Sequence, residues 1–300
     1  MSIVVKNVTK IYGKQKALDD VSFTVEPGNI VGFLGPNGAG KSTMMKIITC
    51  FIPQTSGEVK VCDFDVVSNP IDVKKNVGYL PEHNPLYLDM YVKEYLDFIG
   101  GVHKIKNRKN RVKEMIDMVG LGVEQNKKIG ALSKGYRQRV GLAQAMIHNP
   151  EVLILDEPTT GLDPNQLEEI RNLIKSIGKE KTIMLSTHIM QEVEAICDKT
   201  IIINQGKIVA NDKTQDLQQK QQKNIVLTVE FDNTVNQNQL KKIVGVLRAK
   251  NQKGNVWVIE VENDKVRNNI FQFAVENDLI VLTMQKETQS LENVFKQLTK

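Results

Sequence analysis

The sequence has 300 residues, 41% hydrophobic and 25% charged, enough apolar material for a core, which excludes disorder as the main state. Its 40 basic and 35 acidic residues leave a net charge of +5. That mild excess suits a solvated surface, an anionic ligand or a membrane-adjacent position, and excludes a dedicated nucleic-acid binder.

Short β-branched strands are predicted over residues 3–8, 21–25, 30–34, 77–80, 152–155, 182–186 and 201–204. Helices follow several of them, for instance after Lys41 and from Asn165. This alternation predicts an α/β domain with a mainly parallel sheet over residues 1–213. Between about 85 and 150 helical periodicity takes over, at 92–99, 108–119 and 134–148, which reads as a helical insertion. Residues 214–224 are polar and Gln-rich, a linker or a frayed helix end. Residues 225–300 alternate strand, helix, strand, helix, strand, helix, the pattern of a small α+β domain, with Trp257 and the FQFAV run as its core.

No apolar run approaches the ~20 residues that a spanning helix needs. MSIVVKNVTK lacks the basic and apolar segments of a secretory signal. Cys50, Cys62 and Cys197 are odd in number and lack metal-ligand spacing, so reduced thiols in a cytoplasmic protein are expected.

The strongest chemical signal directly follows the apolar run 30–34. Gly35, Pro36, Asn37, Gly38, Ala39, Gly40, Lys41, Ser42 and Thr43 fit G-x-x-x-x-G-K-[ST]. Glycines let backbone N–H groups wrap a phosphate, and the helix that follows directs its positive end at the anion. Lys41 would neutralise β- and γ-phosphate charge, and the Ser42 hydroxyl would ligate Mg²⁺. A second signal is VLILDEP, 115 residues further on, whose buried strand ends in Asp156 and Glu157. Adjacent residues of an extended chain point to opposite sides, so Asp156 can serve Mg²⁺ while Glu157 serves the attacking water. A third stretch, LSKGYRQRVGLAQAMIHNP, opens a helix with Ser133 as N-cap, and Gly135 permits close approach of an anion. By propensity alone that stretch is a capped amphipathic helix whose Arg137 and Arg139 form a solvated face.

The phosphate loop, LSKGY, LILDE, TTGLD and STH occur in that order, and together they resemble the ATP-binding subunit of an ABC transporter over about two-thirds of the chain. The resemblance implies an α/β P-loop ABC-type ATPase domain with a helical subdomain, followed by the small α+β domain. It implies that Tyr12 stacks on adenine, Glu157 is the general base, His188 contacts the γ-phosphate, and Asp163 lies in a loop that communicates between subunits. It also implies ATP and Mg²⁺ as ligands, with ATP closing a head-to-tail dimer in which Ser133 and Gly135 complete the partner's site. The second subunit would be another copy or a close homologue. A separate integral membrane permease would be driven through the helical insertion, with this chain peripheral on the inner face of the cell membrane and no nucleic acid bound.

Two positions depart from the family pattern. Glu82, in YLPEHNPLY, stands where the family usually has Gln, and a carboxylate there can still bind Mg²⁺. Tyr136 stands where the signature usually has Gln. Both resemble the export-type branch with separate permeases, and YLPEHNPLY is also similar to gliding-motility-associated ATP-binding subunits. The basic run HKIKNRKNRVK is a solvated face, a contact for a permease loop, or a contact for anionic lipid head groups. A rival reading is a soluble ABC-type ATPase acting on ribosomes or nucleic acid. Against it stand the single motif set and the absence of a strong basic patch.

Overall fold

The computed structural model describes residues 1–220, 225–287 and 291–299. The chain divides into two compact units, Met1–Thr214 with Phe295–Lys300, and Gln215–Val294.

The first unit opens with β1 (Ile3–Tyr12), β2 (Gln15–Val25) and β3 (Ile30–Leu34), then α1 (Lys41–Ile48), β4 (Ser56–Val61), β5 (Phe64–Asp65), α2 (Pro70–Asn76) and β6 (Val77–Leu80). The helical insertion follows as α3 (Val92–Val102), α4 (Arg108–Met118) and α5 (Lys134–Met146). The chain then returns to the sheet with β7 (Val152–Asp156), α6 (Pro164–Gly178), β8 (Thr182–Thr187), α7 (Met190–Ile196), β9 (Lys199–Asn204) and β10 (Lys207–Lys213).

Six strands form one sheet in the order β10-β9-β3-β8-β7-β6, and β1, β2, β4 and β5 form an antiparallel sheet. In the six-stranded sheet only the β9–β10 pair is antiparallel. Every residue of β3 (IVGFL) and β7 (VLILD) is buried. Such unbroken apolar strands belong in a parallel sheet covered on both faces. Helix α1 turns Met44, Met45, Ile47 and Ile48 into the core that both sheets share. Each such side chain contributes about 1.5–3 kcal/mol on burial, and together they anchor the helix that begins at the phosphate loop.

Three parallel strands set the site by their register. Leu34 of β3 pairs with Thr187 of β8, and Asp156 of β7 pairs with Ser186 of β8. Gly35, Glu157 and His188 therefore leave the sheet at neighbouring positions along its carboxyl edge, the region where open parallel sheets bind ligands.

Some elements differ from the sequence expectation. Strands β4 (SGEVKV) and β10 (KIVANDK) are additional; in β10, at the sheet edge, no residue is fully buried, and β4 buries only two, so neither carries a strong apolar signature. Residues 214–224 are not simply a linker: Thr214–Lys220 is helix α8, while 221–224 lie outside the described residues.

The second unit runs β11 (Ile225–Phe231), α9 (Gln237–Leu240), β12 (Val246–Lys253), β13 (Val256–Val261), α10 (Val266–Glu276) and β14 (Val281–Glu287), and α11 (Leu291–Leu298) follows. Its antiparallel sheet has the order β12-β13-β11-β14, the ferredoxin-like β-α-β-β-α-β arrangement. Alternate residues Leu227, Val229 and Phe231 of β11 and Trp257, Ile259 and Val261 of β13 enter its core. The first helix of this unit is a single turn, α9, capped at Lys241, and the chain turns again at Gly245 (φ 88°). A Cβ there would meet Val266 Cγ2 at 2.4 Å, so Gly245 lets the chain reverse and start β12 at Val246.

Candidate active site

The phosphate loop leaves the buried end of β3 and closes on α1. Gly40 has φ 111°, and a Cβ there would lie 2.5 Å from the Ala17 carbonyl oxygen. A Cβ at Gly35 would lie 2.5 Å from the Ile203 carbonyl oxygen. Both positions need glycine because main chain, not a movable side chain, fills the space. Lys41 Nζ donates to the Gly35 and Pro36 carbonyls at 2.8 and 3.3 Å and lies 3.7 Å from Glu157 Oε1. Burial pushes the Lys41 pKa down, opposed by Glu157, Asp156 and Glu82.

Asp156 is buried at the end of β7, where its Oδ1 accepts from Ser42 Oγ at 3.4 Å and from Ser186 Oγ. Glu157 has φ 50°, a conformation a non-glycine residue keeps only when its surroundings fix it. Here its N–H donates to both the Ser186 carbonyl and the Ser186 hydroxyl at 3.1 Å. The turn places Glu157 Oε2 3.1 Å from the donor Thr160 Oγ1 and 2.9 Å from His188 Nδ1. A carboxylate only accepts hydrogen bonds, so Nδ1 of His188 carries the proton.

These groups share one cleft of about 630 Å³. Tyr12, Asn37, Gly38, Gly40, Lys41, Ser42, Thr43, Glu82, Glu157 and His188 line it, joined by Gln15, Ala17 and Thr160. A concavity of about 1180 Å³ on the helical insertion is larger, yet the clustered cation, carboxylates and imidazole select the smaller cleft as the reactive one. Gly35 and Pro36 contribute carbonyls that hold Lys41, Ala39 lies buried in the loop, and Asp156 sits behind the wall. Ser42, Asp156 and Glu82 offer only oxygen donors, the chemistry that Mg²⁺ takes.

Ser133 and Gly135 lie outside this lining. Ser133 caps α5, accepting from Tyr136 N–H at 3.4 Å. A Cβ on Gly135 would stand 2.5 Å from Gln166 Oε1, so the turn packs against α6, whose N-cap is Asp163. Sequence reasoning missed Ser186, Thr160 and Gln15. Ser186 stands within the LSTH run, so its position was visible and only its partners were hidden. Gln15 carries no local signal and enters the cleft because it pairs with Tyr12 across the β1–β2 hairpin.

A parallel sheet whose carboxyl edge carries a phosphate loop, an Asp-Glu strand end and an adjacent His defines a P-loop ATPase. Residues 18–160 match the ABC transporter family and 213–299 match the "ATP-binding protein DrrA1-3-like, C-terminal domain" family. The bacitracin transport ATP-binding protein BcrA of Bacillus licheniformis is 34% identical, covering 99% of this chain and 98% of that one. The linearmycin resistance ATP-binding protein LnrL of Bacillus subtilis (strain 168) is 30% identical, covering 98% and 97%. Among solved structures, the post-hydrolysis dimer of the ATP-binding cassette MJ0796 with ADP and Pi is 28% identical with a TM-score of 0.65, covering 71% of this chain and 98% of that one. The cbiO1 protein of Clostridium perfringens, part of the ABC transporter complex cbiONQ, is 25% identical with a TM-score of 0.66, covering 72% and 90%. The chain belongs to the family of ABC transporter ATP-binding subunits, and it is an ATPase.

Proposed function

We propose that this chain powers export through a separate membrane permease, and that its cleft is one half of a two-subunit ATPase site. The observation that carries the chemistry is the grouping of Lys41, Glu157 and His188 within 3.7 Å contacts at one sheet edge. Backbone N–H groups of residues 37–43 and the Lys41 side chain hold the phosphates, and Tyr12 stacks on the base. Ser42, Asp156 and Glu82 would hold Mg²⁺, and the ion would supply neutralisation of the charge on the phosphates. Glu157 takes a proton from the attacking water, and His188 keeps that carboxylate turned toward the γ-phosphate. Ser133 and Gly135 of each copy close over the nucleotide of the other, with Asp163 in the loop between the two sites.

Coupling runs through residues 81–91, which join Glu82 to an exposed apolar patch. Tyr87, Leu88, Tyr91 and Phe98 are each about half exposed, and Val102 more so. Tyr87 meets the rings of Tyr95 and Phe98 at 5.8 Å. An exposed cluster of this kind suits a permease helix on a chain that, among its described residues, has no helix long and apolar enough to cross a membrane. That partner would hold the chain peripherally on the inner membrane face. The names of the bacitracin transport and linearmycin resistance relatives favour compounds of that kind as cargo; the gliding-motility likeness rests on YLPEHNPLY alone.

The test is Glu157→Gln. It should bind ATP with affinity within about two-fold of wild type and lose about 10²-fold or more in turnover. It should also accumulate as an ATP-bound dimer in size-exclusion chromatography with light scattering. Unchanged turnover would remove Glu157 from its role.

A further inference from the structure

Glu192, on α7, is fully buried, and the mechanism above gives it no work. One carboxylate oxygen, Oε1, is buried without a hydrogen-bond partner. Burying a carboxylate is costly, and leaving one oxygen unpaired adds to the cost. A local reason for the residue lies in what its other oxygen does.

Oε2 accepts the Thr187 hydroxyl at 2.9 Å, and the same hydroxyl accepts the Ile189 N–H at 3.1 Å. The order of this chain is fixed by chemistry. A carboxylate can only accept, so Thr187 must give its single proton to Glu192, which turns the hydroxyl lone pairs to the Ile189 amide. The Glu192 N–H also donates to the Ile189 carbonyl at 3.2 Å. Thr187 and Ile189 are the residues on either side of His188. Thr187 is in addition the residue of β8 that pairs with Leu34, immediately before the phosphate loop. The His188 side chain is 47% exposed, so packing does little to hold the imidazole, and the main-chain turn must hold it.

We propose that Glu192 is a positioning residue: through the Thr187 hydroxyl it fixes the backbone on both sides of His188 and thereby keeps the imidazole on Glu157. The proposal rests on the catalytic reading of His188 given above. The buried Glu192 carboxylate acts on hydrolysis through main-chain geometry and is not among the groups that line the cleft.

The test uses the full chain carrying Thr187→Val, Thr187→Ser or Glu192→Gln, together with Thr187→Val in a His188→Ala background. Single-turnover hydrolysis and ATP binding are measured for each, after circular dichroism confirms the fold. Thr187→Val, nearly isosteric, removes both bonds of the hydroxyl and should lower the hydrolysis rate about ten-fold or more, with ATP affinity within about two-fold of wild type. Thr187→Ser restores the hydroxyl and Glu192→Gln keeps an acceptor oxygen, so both should recover most of the rate. In the His188→Ala background Thr187→Val should cost nothing further. An equal loss in both backgrounds, or a wild-type rate for Thr187→Val, would overturn the proposal while the role of His188 stands. A wild-type rate for His188→Ala alone would overturn the catalytic reading itself, and this proposal with it.

Discussion

Lys41 Nζ stands 3.7 Å from Glu157 Oε1, with both side chains 8% exposed. The cation proposed for phosphate and the carboxylate proposed for water thus share one desolvated corner. Lys41 extends from the start of α1, and Glu157 is swung toward it by its φ of 50°. The pair is surrounded by main-chain carbonyls and acids, an arrangement suited to exchanging these partners for an anionic ligand.

Removing the cation should therefore act first on binding. Lys41→Ala is expected to weaken ATP affinity by about 10- to 100-fold, from the loss of one charge-assisted hydrogen bond of about 1.5–3 kcal/mol. Isothermal titration with a slowly hydrolysed ATP analogue measures this. Affinity within two-fold of wild type would contradict the assignment.

Gly40→Ala should disable the loop without touching a charged group. The new Cβ would meet the Ala17 carbonyl, and φ 111° is unfavourable to any L side chain. The strain is of order 1–3 kcal/mol and falls on the N-cap of α1. The expected result is loss of nucleotide binding with a melting temperature lowered by a few degrees. Gly13→Ala provides the control, because a Cβ at Gly13 meets nothing within 4 Å. It should cost only its own backbone strain.

How much of this was legible beforehand follows from burial. Strands β3 and β6 matched their predicted bounds, and β7 differed by one residue, because apolar runs there end at Gly, Pro or Asp. Strand β4 and the edge strands β10 and β12 were missed because their alternation is diluted by polar residues facing water. The phosphate loop and Asp156–Glu157 were readable because their chemistry is contiguous in sequence. The bonds from Ser186 to Asp156 and to the Glu157 amide come from the β7–β8 register, which no linear pattern displays.

Stability should also depend on pH through a pair outside the cleft. The rings of His103 and His148 stack with centroids 4.1 Å apart. His148 Nε2 bonds to the Val77 carbonyl at 3.1 Å, and its Nδ1 is buried without a partner. Burial, then His103 and Arg111, push the His148 pKa from 6.5 down to about 4, against the bond to Val77. Burial lowers His103 as well. A lowered histidine pKa means that the unfolded chain binds the proton first as pH falls. The stabilisation is then complete above about pH 6.5 and lost progressively between about pH 6.5 and 4. By pH 5.5 the loss from His148 should be about 1 kcal/mol. Urea unfolding at pH 7.5 and 5.5 measures it, and His148→Gln should flatten the difference. An unchanged slope in that variant would remove His148 as its source.

The central claim, an ATPase that serves a membrane permease, is tested most directly by what the chain holds in its own cell. Tagged protein is extracted from native membranes in a gentle detergent, and whatever remains bound is identified and quantified by mass spectrometry. The account predicts a multi-spanning membrane protein in fixed ratio to this chain, with binding weakened when Tyr87, Tyr91 and Phe98 are changed to Ser. Recovery solely from the soluble fraction, bound to ribosomes or nucleic acid, would contradict it.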